Sequence, residues 1–307
     1  MSVELQSSTS SSGFVSGLIV WLRALRVYQW VKNLLVFLPA VFAHRLDDRQ
    51  VVVASFLAAL SFSLMASAVY LFNDWRDCES DAQHPVKKHR PLAAGLVSPT
   101  SALAVMSGLA LASVLAALAL PLSNLLLIFT YGLVAVAYSL WLKRIMLADA
   151  FILAGFYTAR IYAGSLATGI QVSQWLHLFS LFIFLALGFQ KRYAELAATP
   201  ETGKALAGRG YHLSDIDHMR GMGHAAGFLA VLVFALYTHS PGVTDHYSNP
   251  TVLWWICPLI LFWLCRLWLL TGRGQVSEDA ILFALKDRTS FCLGVCAVVI
   301  ALLAGPI

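Results

Sequence analysis

Residues 51–81 read VVVASFLAALSFSLMASAVYLFNDWRDCESD. The stretch 51–72 carries no charged side chain. Crossing a bilayer's hydrocarbon core takes about 20 mostly apolar residues, so the stretch predicts a transmembrane helix. The polar block Asn73-Asp74-Trp75-Arg76-Asp77-Cys78-Glu79-Ser80-Asp81 follows at once. A helix that leaves the membrane straight into several acids gathers charge at one surface.

The rest of the chain repeats this economy. Of 307 residues, 59% are hydrophobic and only 12% are charged. Mean hydropathy is +0.74. A soluble domain carries about 25% charged residues, so composition implies an all-α, polytopic membrane bundle. Nine spans are expected, near 27–44, 51–72, 101–120, 122–142, 146–168, 173–190, 215–239, 251–271 and 285–305. Residues 14–26 suit an interfacial helix, with Trp21 and Arg23 placed for the membrane surface. The Ser-rich residues 1–13 read as a disordered tail, and 14–307 as a single transmembrane domain.

Lys and Arg fall on one side. Segments after the second, fourth, sixth and eighth spans hold Arg76, Lys87, Lys88, Arg90, Lys143, Arg144, Lys191, Arg192, Lys204, Arg209, Arg273, Lys286 and Arg288. Segments after the third, fifth and seventh hold none, and the one after the first has Arg45 and Arg49. The positive-inside rule then puts the N-terminus and the long charged loops in the cytoplasm of a multi-pass inner membrane protein. Cys78, Cys257, Cys265, Cys292 and Cys296 form no CxxC pair and no zinc spacing. No P-loop or nucleophile elbow occurs, and the chain is too apolar for a nucleic-acid partner.

Topology explains the cations but not the acids among them. Asn73, Asp77 and Asp81 are spaced i, i+4, i+8, which on a continuing helix gives one face. Three oxygen-bearing side chains there suit Mg²⁺, which takes one or two carboxylates plus substrate phosphates. Lys87, Lys88 and Arg90 follow. Metal-binding acids beside phosphate-binding cations point to a diphosphate substrate.

This segment resembles the NDxxDxxxD motif of the UbiA superfamily of intramembrane prenyltransferases, and the resemblance extends from about Leu22 to the last span. It implies a UbiA-like bundle with Mg²⁺ on Asn73, Asp77 and Asp81. Aromatic prenyltransferases of that superfamily carry a second acidic motif after the sixth span. Here Gly188-Phe189-Gln190-Lys191-Arg192-Tyr193-Ala194-Glu195-Leu196 puts cations in its place. That stretch, with 26–33 and 279–288, resembles the decaprenyl-phosphate phosphoribosyltransferase branch. The resemblance implies transfer of 5-phosphoribose from phosphoribosyl diphosphate to a polyprenyl phosphate, for a cell-envelope glycolipid precursor. Several phosphates in one partly dry cavity repel strongly unless Lys and Arg counter them.

The expected catalytic residues are Asn73, Asp77, Asp81 and Lys143. Lys32, Lys87, Arg90, Tyr138, Gln190, Lys191, Arg192 and Lys286 are the expected substrate contacts. Glu195 is a candidate partner for Lys191 and Arg192. Asp149 and Arg160, eleven residues apart, share a face of one helix, with either structural or phosphate-holding roles open. Asp287 suits a metal contact or a helix N-terminus. Two other functions fit parts of the pattern. One is prenyl transfer from a polyprenyl diphosphate to an aromatic acceptor; the other is transport of a lipid-linked sugar.

Overall fold

The computed structural model describes residues 17–83, 87–199, 209–240, 243, 247–276 and 279–305. The tail 1–13, the start of the interfacial helix, His84 and Lys204 lie outside the described residues. The described regular structure is helical. In chain order it comprises α1 (residues 17–24), a 3-10 segment Val27–Phe37, α2 (Leu38–Phe42), α3 (Arg49–Arg76), α4 (Cys78–Ala82), α5 (Pro99–Leu118), α6 (Leu122–Leu140), α7 (Ala148–Thr168), α8 (Gln174–Ala197), α9 (Ile216–Thr238), α10 (Ile256–Gly272), α11 (Ala280–Lys286) and α12 (Arg288–Ala304).

Among the described residues, six helical stretches are long and apolar enough to cross a membrane: Arg49–Arg76, Pro99–Leu118, Leu122–Leu140, Ala148–Thr168, Leu213–Thr238 and Pro250–Gly272. A seventh results if α11 and α12 count as one broken span. The sixth expected span is α8, whose second half bears Gln190, Lys191, Arg192 and Glu195. The first expected span is not a continuous α-helix. It is 3-10 over Val27–Phe37, then α only to Phe42. The polar Lys32 and Asn33 point inward there and are buried. The expected ninth span starts at Arg288, because the chain turns by 87° between α11 and α12. Asp287 causes the break: it takes an extended backbone, caps α12 through Ser290 N at 2.8 Å, and holds Arg266 bidentately at 2.6 and 3.0 Å.

Starts follow sequence chemistry. Asp48 accepts from Gln50 N at 2.8 Å and so caps α3; Ser98, with Pro99 at the first helical position, caps α5; Ser173 caps α8. Lipid offers little hydrophobic drive between helices, so close packing and interhelical hydrogen bonds matter more. Ser61 of α3 and Ser113 of α5 illustrate this. Each hydroxyl donates to the other's carbonyl, at 2.9 and 2.7 Å. Such bonds contribute about 0.6 kcal/mol each in membranes. Gly164 of α7 meets the 3-10 segment so closely that a Cβ would lie 1.8 Å from the Val36 carbonyl oxygen. That approach fixes the backbone that carries Lys32.

Candidate active site

A cavity of about 200 Å³ opens among α3, α6, α7, α8, the 3-10 segment and the start of α11. Asn73, on the last turn of α3, faces it. Tyr138 comes from the last turn of α6, Lys191 from α8, Lys32 from the 3-10 segment, Arg160 from α7, and Arg209 from the chain before α9. Tyr70, Tyr131, Phe156 and Tyr157 supply aromatic walls. The lining holds four cationic side chains, Lys32, Arg160, Lys191 and Arg209, against one carboxylate, Asp279. A half-enclosed space with that excess suits a polyanion.

Lys32, Arg160 and Arg209 are each held in place. Lys32 pairs with Asp279, which also caps α11 through Leu282 N. Arg160 is buried; its Nε donates to Asn33 Oδ1 at 2.7 Å and its Nη1 to the Phe156 carbonyl. The Phe62, Tyr131 and Tyr157 rings surround its guanidinium at 5.6–5.8 Å. Asn33 donates onward to Ser63 at 2.7 Å. Arg209 Nη1 donates to the Tyr138 hydroxyl at 2.8 Å.

Behind that wall lies a buried ion network. Arg192 and Asp149 are fully buried and meet at 2.7 Å. Arg192 also pairs with Glu195, and Arg209 lies 3.5 Å from Asp149 and 3.7 Å from Glu195. Tyr211 donates its hydroxyl proton to Asp149 and accepts from Leu147 N at 3.0 Å. Two carboxylates therefore face two guanidiniums with further hydrogen bonds, the arrangement that offsets desolvation of buried charge.

The acidic motif sits on the rim. Backbone hydrogen bonds from Asp77 N to Asn73 O at 2.9 Å and from Asp81 N to Asp77 O at 2.8 Å keep the helical spacing past the end of α3. The side chains have separate partners, however. Asp77 lies 3.2 Å from Arg76 Nε and 3.6 Å from Lys143 Nζ. Asp81 is buried against Arg90 at 2.7 Å. Asp74, which carried no role in the sequence reading, shares Arg90 at 3.1 Å and takes Arg26 at 2.6 Å. Lys143 stands on the turn between α6 and α7. Burial holds its ammonium below the ordinary lysine pKa, an effect Asp77 partly offsets.

Of the expected contacts, Lys32, Asn73, Tyr138 and Lys191 line the cavity, while Asp77 with Lys143 and Asp81 with Arg90 form two separate ion pairs outside the lining. Gln190 and Arg192 do not reach the cavity. Gln190 is fully buried and donates to Thr271 at 3.0 Å, and Arg192 is enclosed by Asp149 and Glu195. Positions 190 and 192 flank Lys191 on a helix, so only one of the three faces inward. Lys87 and Lys286 occupy exposed positions outside the lining. Asp287 is a helix cap bound to Arg266. Arg160, Arg209 and Asp279 are lining residues that the site reading did not include. Only Arg160 carried a signal, as a lone charge at membrane depth.

The sequence model of the UbiA prenyltransferase family matches residues 33–286. The chain belongs to that family. An uncharacterized protein of Sinorhizobium fredii, y4nM, is 35% identical over 284 residues, covering 89% of this chain and 54% of that protein. The decaprenyl-phosphate phosphoribosyltransferase of Mycobacterium tuberculosis H37Rv is 37% identical over 199 residues, 64% of this chain and 65% of the enzyme. The UbiA-family chain thus spans between half and two thirds of these relatives' lengths. A UbiA homologue from Archaeoglobus fulgidus, solved bound to DMAPP and Mg²⁺, superposes with a TM-score of 0.69 at 17% identity, over 91% of this chain and 98% of that one. That likeness establishes the UbiA fold.

The donors present suit a hard divalent cation. Asn73, whose side chain carries an amide oxygen, lines the cavity, and the half-buried Asp77 carboxylate stands one turn beyond it. Among the described residues no three His, Cys, Asp or Glu side chains cluster as a complete cage. A hard divalent cation held there would draw the rest of its shell from water and substrate phosphate.

Proposed function

We propose that this UbiA-family protein transfers 5-phosphoribose from phosphoribosyl diphosphate to a polyprenyl phosphate at the cytoplasmic face of the inner membrane, supplying a cell-envelope glycolipid precursor. The observation that carries this reading is the cationic lining: Lys32, Arg160, Lys191 and Arg209 against Asp279 alone. A donor with a diphosphate and a separate 5-phosphate, meeting a phosphate acceptor, needs such an excess. The identity with a mycobacterial enzyme named for this reaction supports it. The one-sided distribution of Lys and Arg supports the orientation.

Asn73, Asp77 and Asp81 would hold Mg²⁺, which neutralises diphosphate charge when bound. Lys191 and Arg209 hold donor phosphates on the facing wall. Lys143, paired with Asp77 at 3.6 Å, would add a cation for the diphosphate. The bond from ribose C1 to the diphosphate oxygen breaks, and the diphosphate leaves with the electron pair. An acceptor phosphate oxygen forms the new bond to C1. The acceptor is already an anion, so no base is required, and the aromatic walls limit water. Catalysis rests on orientation and preorganised charge.

The fold neighbour's DMAPP, a prenyl diphosphate, favours a second reading in which the same rim motif serves prenyl transfer to an aromatic acceptor. One assay separates the two. Purified protein is given labelled phosphoribosyl diphosphate with polyprenyl phosphate, and in parallel polyprenyl diphosphate with an aromatic acid, each with and without Mg²⁺. Mg²⁺-dependent label in lipid from the first mixture is expected. Product only from the second would overturn the phosphoribose assignment.

A further inference from the structure

A second, larger concavity of about 690 Å³ lies between α9 and α10, on the other side of α8 from the active-site cavity. The two share no lining residue. Lys191 lines the cavity and Tyr193, two positions on, lines the groove, as expected for opposite faces of one helix.

The lining is graded along its length. On α9, Arg220, His224 and Phe228 succeed one another at i, i+4, i+8. On α10 and its cap, Arg273, Leu269 and Cys265 succeed one another at the same spacing in the opposite chain direction. Both arginines therefore stand at one end, and the apolar side chains lie deeper on both walls. The floor is opened by the absence of side chains. A Cβ at Gly223 would lie 2.2 Å from Trp268, and one at Gly227 would lie 3.3 Å from Leu264. Glycine at these positions lets α10 seat its large residues against α9 and leaves the space above them open. Arg220 has one partner, Asp217 at 2.6 Å, but both are at least half exposed. An exposed pair of this kind yields readily to a better anion. Arg273 is exposed and makes no ion pair among the described residues.

We propose that this groove binds an anionic bilayer phospholipid, its phosphate between Arg220 and Arg273 and its acyl chains against Phe228, Leu269 and Trp268. The order of the walls, two cations then imidazole then apolar surface, matches a lipid's own order from headgroup to chain. A polyprenyl phosphate acceptor is a poorer occupant, since its phosphate would be held on the wrong side of α8 from Asn73 and Lys191.

The test is native mass spectrometry of the detergent-purified protein with phosphatidylglycerol or phosphatidylcholine of equal chain length. Phosphatidylglycerol is expected to be retained roughly tenfold to thirtyfold more strongly, at about 1 kcal/mol for each arginine near the headgroup. The Arg220→Gln/Arg273→Gln double variant is expected to lose this preference; both side chains are exposed, so folding is unaffected. Cys265→Trp, also at an exposed position, fills the apolar middle and is expected to weaken retention of both lipids. Soluble glycerol phosphate is expected not to displace the lipid. Equal retention of the two lipids, an unchanged preference in the double variant, unchanged retention in Cys265→Trp, or displacement by glycerol phosphate would each overturn the proposal. So would arginine-dependent retention of polyprenyl phosphate in place of phosphatidylglycerol.

Discussion

The Lys143 ammonium stands 3.6 Å from the Asp77 carboxylate, so the turn between α6 and α7 is tied to the acid-bearing end of α3. Both partners are half-buried; Asp77 is 31% and Lys143 21% exposed. A pair this open contributes at most about 1 kcal/mol to stability. Its placement beside Asn73 matters more. Asp77→Asn is therefore expected to lower kcat/KM for transfer by about 100-fold or more, as loss of a preorganised charge does, while thermal unfolding shifts little. Steady-state kinetics and a melting curve on the same preparation check both halves. A large loss of stability with unchanged kinetics would refute the assignment.

Lys143 also predicts a pH dependence. Burial disfavours its charged form and lowers its pKa, with Asp77 opposing. Its folded pKa thus lies below the ordinary value of 10.5. Between the two, the unfolded chain binds more protons, so this group's contribution to stability rises with pH through that window and is lost as pH falls through the folded pKa. For activity the sign is opposite under the proposed function, in which Lys143 meets phosphate as the ammonium. Activity is expected to decline on the alkaline side earlier than an ordinary lysine would dictate. Lys143→Arg, which stays charged, should move that limb to higher pH, as read from kcat/KM against pH.

Arg192 carries the largest stability prediction. It and Asp149 are fully buried, and Glu195, Arg209 and Tyr211 add ion pairs and a hydrogen bond around them. Removing one partner of such a pair leaves an unmatched buried charge and costs about 3–5 kcal/mol. Arg192→Met is expected to unfold at markedly lower temperature in detergent. Arg192→Lys should recover only part of this, since an ammonium cannot reproduce the guanidinium fork between two carboxylates.

The sequence made the class of fold and the rim motif legible for different reasons. Long uncharged runs such as 51–72 can only be spans, and acids spaced by four after one of them have few structural explanations. The inward turn of Lys32 was not legible as a 3-10 segment, because apolar periodicity does not distinguish it from α-helix. The break at Asp287 was hidden similarly, as the acid reads equally as a helix N-terminus within one span. Gln190 and Arg192 were misplaced because one helix face admits only Lys191 from three adjacent polar residues. Asp74 lay inside the quoted motif, yet its partners Arg26 and Arg90 are 48 and 16 residues away in the chain. Arg209 looked like one more topological cation.

Arg209 reaches the cavity because of the residues after it. Gly210 packs where a Cβ would lie 2.4 Å from the Arg144 carbonyl oxygen and 2.9 Å from Met146 N. Those are backbone atoms of the turn into α7 and cannot rotate aside. Tyr211 is fully buried and bonded to Asp149 and Leu147. Glycine and tyrosine together clamp the chain so that Arg209 points at Tyr138 and the cavity. Arg209→Ala is expected to raise the KM for phosphoribosyl diphosphate about tenfold or more, the scale of a charge-assisted hydrogen bond, with a smaller fall in melting temperature than Arg192→Met, since Arg209 is partly exposed and stands farther from the two carboxylates, at 3.5 Å from Asp149 and 3.7 Å from Glu195. Gly210→Ala keeps the guanidinium but forces the clamp apart. It is expected to raise the same KM and also to destabilise by about 1–3 kcal/mol through overpacking. Kinetics and melting curves on both variants separate the roles. If Gly210→Ala destabilises the protein yet leaves KM at the parent value, the clamp does not position Arg209, and its contact with the donor is refuted unless Arg209→Ala alone still raises KM.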